Sequence, residues 1–334
     1  VDPAILPDEP VQPKTFLYLF LGFMTGIVSG TLTALIQEYL DDTIKDAEQA
    51  KRELQLPLLS VIPYIETKED DSEKEKHTSL IAHYEPKSSI TEAFRSLRTG
   101  IHFSGVSKKR QVIMVTSSLP YEGKTTIMGN FAVVLSQTGA RVLILDCDLR
   151  RSALHRLFGY SKSPGLTELL AGDDNIESFV HNTNIPGLDF ITAGTTPPNP
   201  AELLGSEKMN ILIQKFRERY DAILIDAPPV LAVTDSLLLS AMTDMVFMIL
   251  ELGRIPIKAV THARDMLQNI NAPLAGLVLN DKIEHRLERY GYYGEKYYRY
   301  RYYGYSHYGY SYYGEKPTKE KEKRAWWQRF LKKK

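Results

Sequence analysis

Six short apolar runs alternate with helical periodicity between Gln111 and Lys282. They are Val112–Ser117, Val142–Asp146, Leu188–Thr192, Ala222–Asp226, Met245–Leu250 and Leu274–Leu279. Apart from Asp189 and the polar residues that close them, they are apolar at successive rather than alternate positions, as a strand must be when both faces of its sheet are covered. This alternation predicts an α/β fold with a doubly wound, mostly parallel sheet. In such a sheet, ligands sit beyond the carboxyl ends of the strands. The residues that close each run are therefore the ones to read for chemistry.

Three of these ends carry marked sequences. Ser117-Ser118-Leu119-Pro120-Tyr121-Glu122-Gly123-Lys124-Thr125-Thr126 follows the first run and opens a helical stretch. That setting suits a phosphate-binding loop, because free N–H groups and the helix dipole attract an anion at the helix start. The expected nucleotide contacts are Ser118, Tyr121, Glu122, Gly123, Lys124, Thr125 and Thr126. Lys124 supplies a point charge for the β and γ phosphates, and Thr125 offers a hydroxyl to Mg2+. Ser118 stands where the general G-x-x-x-x-G-K-[ST] pattern has its first glycine.

Leu143-Ile144-Leu145-Asp146-Cys147-Asp148-Leu149-Arg150 sets two acids at the end of a second run, and Ile223-Leu224-Ile225-Asp226-Ala227-Pro228-Pro229 sets another at the end of a third. Any one of them could merely cap a helix. All three beside a phosphate loop describe a site for ATP and Mg2+. Mg2+ takes few protein oxygens, and Thr125, Asp146 and Asp226 are the expected ligands, some through water. Phosphoryl transfer depends on positioning and charge stabilisation. The expected catalytic set is Lys124, Asp146, Asp148 and Asp226, with Asp148 orienting or deprotonating the incoming hydroxyl. Asn280, after the last run, is the expected adenine contact.

The flanks differ in kind. Phe16 to Ile36 is free of charge over twenty-one residues. At about 1.5 Å per residue it reaches roughly 30 Å, the thickness of a bilayer core. It shows no polar face, as a soluble core helix would, and no small-residue cleavage pattern follows it, so a transmembrane helix over 16–36 is expected. Gly22, Gly26 and Gly30 form a ridge that admits a close neighbour. Before it, residues 1–15 carry Pro7, Pro10 and Pro13, which favour an extended polyproline II segment; an ATP site C-terminal to the helix would place this segment outside the cytoplasm. Residues 37–88 read as a juxtamembrane helix and linker: Glu38 to Arg52 as a solvated helix, Glu66 to Lys76 as a charge-dense connection. Ser89-Ile90-Thr91-Glu92 reads as a capping box opening a helix to about Phe103. The nucleotide domain is placed at 89–283.

Beyond it, residues 284–314 hold Tyr290, Tyr292, Tyr293, Tyr297, Tyr298, Tyr300, Tyr302, Tyr303, Tyr305, Tyr308, Tyr310, Tyr312 and Tyr313, interleaved with Gly, Arg and Ser. This is low complexity without the grammar of a core strand. Although the chain is formally neutral, Glu315 to Lys334 has nine Lys or Arg against three Glu. With Trp326-Trp327-Gln328-Arg329-Phe330-Leu331 between basic residues, this basic amphipathic end suits a lipid interface. A single cysteine, Cys147, excludes an intramolecular disulfide and fits a reducing compartment. The histidines show no metal-ligand spacing.

These motifs together resemble the bacterial tyrosine kinases of the polysaccharide copolymerase family (Wzc-type). The acids Asp146 and Asp148 look like that family's Walker A′ motif and Asp226 like its Walker B. Glu92-Ala93-Phe94-Arg95-Ser96-Leu97-Arg98 is similar to its E-x-x-R-x-x-R helix, and the tyrosine cluster and apolar run match as well. The resemblance implies a MinD/ParA-like P-loop NTPase fold and an ATP-dependent protein tyrosine kinase. The thirteen tail tyrosines would be phosphoacceptors, modified in trans within a ring-like homo-oligomer held by Glu92, Arg95 and Arg98. It also implies the bacterial inner membrane with the kinase domain cytoplasmic. The implied partners are membrane lipid, the machinery of polysaccharide polymerisation and export, and a protein tyrosine phosphatase, with no nucleic acid. Tyr121 departs from the family, many of whose members have glycine there. Val1 at the start, and the lack of a first transmembrane helix and extracytoplasmic domain, lead us to expect a piece of something longer. Two rival readings stay open at this stage. One is a MinD/ParA-like membrane ATPase, against which stand Leu119 in place of an early loop lysine and the tyrosine tail. The other is a structural chain-length regulator with a vestigial site, against which stand the intact Lys124, Asp146, Asp148 and Asp226.

Overall fold

The sheet holds eight strands in the order β1-β8-β7-β2-β6-β3-β5-β4. In chain order these are β1 Leu58–Pro63, β2 Val112–Ser117, β3 Val142–Asp146, β4 His181–Asn182, β5 Leu188–Ile191, β6 Ala222–Asp226, β7 Met245–Glu251 and β8 Leu274–Asp281. Every neighbouring pair is parallel except β4 with β5. The computed structural model describes residues 15–64, 80–103, 111–172 and 175–282. The tyrosine cluster, the basic end, the proline-rich start and the Glu66–Lys76 connection lie outside the described residues.

The helices are α1 Thr15–Leu40, α2 Ala47–Leu54, α3 Ile81–Tyr84, α4 Ser89–Phe103, α5 Lys124–Ser136, α6 Leu154–Phe158, α7 Leu166–Ala171, α8 Pro200–Leu204, α9 Glu207–Arg217, α10 Asp235–Ser240 and α11 Ile257–Asn269. The helices after α1 cover both faces of the sheet, and β3 shows why residues between two layers are apolar up to the closing acid. Leu143 and Leu145 join the core beneath α2, α9 and α11, while Val142 and Ile144 join the core beneath α4 and α5. A polar residue at either parity would be buried without a partner.

The six expected strands are all present, with ends shifted by no more than two residues. Two strands were not expected. β1 carries Ser60 and is bracketed by Pro57 and Pro63, so neither alternation nor an unbroken apolar run marks it. Its place comes from parallel pairing with β8. β4 has two residues and pairs only with the edge of β5.

The stretch after the apolar run also differs from expectation. It is not one solvated helix. α1 ends at Leu40, Asp41 Oδ1 accepts from the Thr43 N–H at 3.0 Å, and Asp46 caps a new helix by accepting from the Gln49 N–H at 2.8 Å. Short acidic side chains that capture nearby N–H groups break a helix in this way. One face of α2 is then buried through Ala47, Ala50 and Leu54, beside Ile44, in the core shared with α11. The cap of α4 is likewise shifted by one residue. Ser88, not Ser89, accepts from the Thr91 N–H through its hydroxyl at 3.1 Å, and Glu92 reaches forward to Arg95 rather than back to a cap. α1 itself is twenty-six residues long, its large apolar side chains exposed, and is long and apolar enough to cross a membrane.

Candidate functional site

The carboxyl ends of β2, β3, β6, β7 and β8 converge on one edge and deliver Ser117, Asp146, Asp226, Glu251 and Asn280. The loop from Ser117 to Gly123 leaves central β2 and turns into α5. Gly123 caps α5 in the left-handed region at φ 87°, and a Cβ there would lie 2.6 Å from Asn280 Nδ2. Glycine is required for both reasons. Tyr121 also has positive φ, 68°, although it is not glycine. Its side chain is 73% exposed, and its hydroxyl accepts from Arg151 at 3.2 Å.

Several side chains hold this loop. The buried Glu122 carboxylate accepts from the Leu119 N–H at 2.6 Å and the Glu251 N–H at 3.1 Å. Asn280 Nδ2 donates to the Glu122 carbonyl at 3.1 Å. From outside, Arg254 donates to the carbonyls of Tyr121 at 2.8 Å and Pro120 at 3.3 Å. Thus the side chain of Glu122, expected among the nucleotide contacts, is turned inward and sets the shape of the loop. Burial pushes its carboxyl up to about 7, against the pull of its two N–H partners. Arg254 was not foreseen, since a lone arginine after a strand carries no pattern.

The acids meet at this edge. Asp146 and Asp226 lie opposite one another on adjacent strands. Thr125 Oγ1 donates to Asp226 Oδ2 at 2.5 Å. Asp146 Oδ2 accepts from Ser152 Oγ at 2.8 Å and from the Leu154 N–H at 3.2 Å. Asp148 accepts from the Arg151 N–H at 2.8 Å. Arg150 anchors this loop by a two-pronged pair with buried Asp235, at 3.0 and 3.3 Å. Burial raises the Asp146 carboxyl well above its usual range, and the nearby charge of Asp226 adds to this. Burial also raises Asp226, while the Lys124 charge and the Thr125 hydroxyl pull it back. Lys124 is itself buried at the first turn of α5. Among the expected contacts, Thr126 follows on α5, where its carbonyl accepts from Asn130 Nδ2 at 2.9 Å.

Three buried polar atoms at this edge have no hydrogen-bond partner: Asp146 Oδ1, Asp226 Oδ1 and Ser118 Oγ. Buried orphans of this kind call for an ion or ligand. Among the described residues, no group of three or more His, Cys, Asp and Glu is arranged to hold a metal by itself. Two carboxylate oxygens and a hydroxyl fit Mg2+, which completes its shell with water and phosphate oxygens. Glu92, Arg95 and Arg98 lie apart from the site on α4. Arg98 donates to the Val134 carbonyl of α5 at 3.3 Å, whereas Arg95 pairs with Glu92 at the surface.

Residues 111–281 match a family model described as an AAA domain. The tyrosine-protein kinase ptk of Acinetobacter johnsonii is 36% identical over 284 residues, covering 84% of this chain and 39% of that protein. The tyrosine-protein kinase wzc of Salmonella typhimurium is 35% identical over 307 residues, covering 89% and 43%. The chain thus spans about two fifths of the length of the curated relatives it matches. Among solved structures, the BceF tyrosine kinase domain is 37% identical with a TM-score of 0.65, covering 72% of this chain and 99% of its own. The kinase domain of the Escherichia coli tyrosine kinase ETK is 31% identical with a TM-score of 0.65, covering 71% and 95%.

Proposed function

The chain belongs to the bacterial tyrosine-kinase family, and we propose that it transfers the γ-phosphoryl group of ATP to tyrosine hydroxyls, including those of its own tail. The observation that carries this reading is the pair of orphaned carboxylate oxygens, on Asp146 and Asp226, beside the loop that holds Lys124. Thr125, Asp146 and Asp226 would hold Mg2+, which when bound neutralises charge on the phosphates. Lys124 stabilises the charge that develops on the β and γ oxygens. Asp148 orients the incoming tyrosine, whose hydroxyl titrates near 10 in water and so needs an acceptor for its proton at neutral pH. The backbone N–H groups after Ser118 and at the start of α5 cradle the phosphates. Asn280, already bonded to the loop at Glu122, stands beside it as the candidate adenine contact.

The acceptors are the tyrosines from Tyr290 to Tyr313. Phosphorylation in trans within a ring-like homo-oligomer is part of the same proposal. The surface pair Glu92–Arg95, with Arg98, is the proposed subunit contact. α1 would anchor the chain in a bacterial inner membrane, with the sheet domain, which includes α2 and β1 as well as the expected 89–283 stretch, in the cytoplasm, where ATP is. Polysaccharide polymerisation and export is the proposed setting, with membrane lipid, that machinery and a protein tyrosine phosphatase as partners.

The test is incubation of the purified chain with ATP and Mg2+, followed by mass spectrometry of the Tyr290–Tyr313 peptide. Phosphotyrosine there is expected. Nucleotide binding without phosphate in the peptide would favour an ATPase instead. Mixing a kinase-dead chain with an active, tail-deleted chain should label the kinase-dead chain alone. Labelling only in cis, independent of concentration, would remove the oligomer.

A further inference from the structure

Asp146 is held by a chain of side chains that runs away from the nucleotide edge. Its Oδ2 accepts from Ser152 Oγ at 2.8 Å, and Ser152 Oγ lies 3.0 Å from His155 Nδ1. Ser152 is buried in the loop before α6, and His155 is half-buried in the first turn of that helix. A serine hydroxyl has one proton to give. Asp146 is ionised when it holds a cation and can then only accept, so that proton goes to Asp146, and the Ser152 oxygen must accept from the ring. His155 therefore carries its proton on Nδ1. Burial, with Arg156 and Lys162 nearby, lowers the affinity of the ring for a second proton.

With Oδ2 occupied by Ser152 and by the Leu154 N–H, Asp146 is left with Oδ1 as its free oxygen. We propose that His155 is a positioning residue for phosphoryl transfer: through Ser152 it fixes the Asp146 carboxylate so that Oδ1 alone faces the metal. The proposal rests on the nucleotide–Mg2+ reading above. Groups that orient a metal-binding carboxylate typically change metal affinity about 10–100-fold when removed. Without the Nδ1 proton the Ser152 hydroxyl is free to rotate, and Oδ2 competes with Oδ1 for the ion.

The experiment measures binding of a fluorescent ADP analogue to the whole chain as Mg2+ is titrated, with a parallel titration in EDTA. His155→Phe and Ser152→Ala should each weaken apparent Mg2+ affinity at least about tenfold, with EDTA binding and melting temperature close to wild type. His155→Asn keeps an N–H donor near the Nδ1 position and should restore most of the loss. Wild-type Mg2+ dependence in His155→Phe and Ser152→Ala overturns the proposal. So does an Asn variant as weak as the Phe variant, or equal loss of binding in EDTA, because either makes the histidine a packing residue. Binding by wild type that is insensitive to Mg2+ would instead sink the Mg2+ reading on which the proposal rests, a failure visible before any variant is made.

Discussion

Asp146 and Asp226 are register partners on adjacent parallel strands, so β3 and β6 bring two carboxylates to the same level of one sheet edge. Both are buried, and each keeps one oxygen without a partner. Two acids so placed oppose the fold when nothing is bound between them.

The first prediction follows from that conflict. Both carboxyls titrate above their ordinary value of 3.8 in the folded chain, Asp146 through burial and then Asp226, Asp226 mainly through burial. A raised folded value means stability that is present below the unfolded value and lost as pH rises through the folded one. Ligand-free protein should therefore melt lower at pH 8 than at pH 5.5. Asp146→Asn should flatten this slope and raise the melting temperature at pH 8, by about 2–4 °C for each kcal/mol recovered. The same variant should lose Mg2+-dependent nucleotide binding. A variant that melts lower than wild type at pH 8 would contradict the repulsion.

The second concerns Lys124, buried at the start of α5 and facing Asp226 through its charge. Lys124→Met removes the charge offered to the phosphates. A loss of about 10² or more in autophosphorylation rate is expected. Phosphotyrosine accumulating at close to the wild-type rate would remove Lys124 from the catalytic set.

The third tests the loop. Gly123→Ala puts a Cβ 2.6 Å from Asn280 Nδ2 on backbone at φ 87°. A cost of about 1–3 kcal/mol is expected, together with weaker nucleotide binding, because Asn280 must leave the Glu122 carbonyl. Calorimetric melting and nucleotide titration of this variant check both effects. A fully stable variant that binds normally would mean the loop can take another shape.

The fourth separates the two arginines of α4. Arg98 donates to Val134 within the same chain, so Arg98→Ala should cost about 0.5–1.5 kcal/mol of stability. Arg95 pairs with Glu92 at the surface, so Arg95→Ala should leave stability within about 1 kcal/mol of wild type and reduce the assembled mass in analytical ultracentrifugation. Unchanged mass for Arg95→Ala would remove this helix face from the proposed contact.

Much of this was written in local sequence. An apolar run closed by an acid shows itself without any partner, because a strand covered on both faces tolerates no polar interruption. That is why Val142–Asp146 and Ala222–Asp226 were legible, along with Lys124 and Thr125 at the start of their helix. The long uncharged run of α1 was legible for the same reason of uniform composition. Other features depend on groups distant in the chain. β1 is a strand because β8 offers it an edge, and α2 is packed because α11 lies beneath it. The inward turn of Glu122 needs the Glu251 N–H, 129 residues away. The hold of Arg254 on Tyr121 and Pro120, and the line from His155 through Ser152 to Asp146, likewise leave no periodic trace. Sequence alone determined which residue types reach the sheet edge, since covalent order and burial period set that. Tertiary structure decided which oxygen of each carboxylate is occupied and which is left free, since a hydrogen bond depends on distance and direction between groups that only folding brings together.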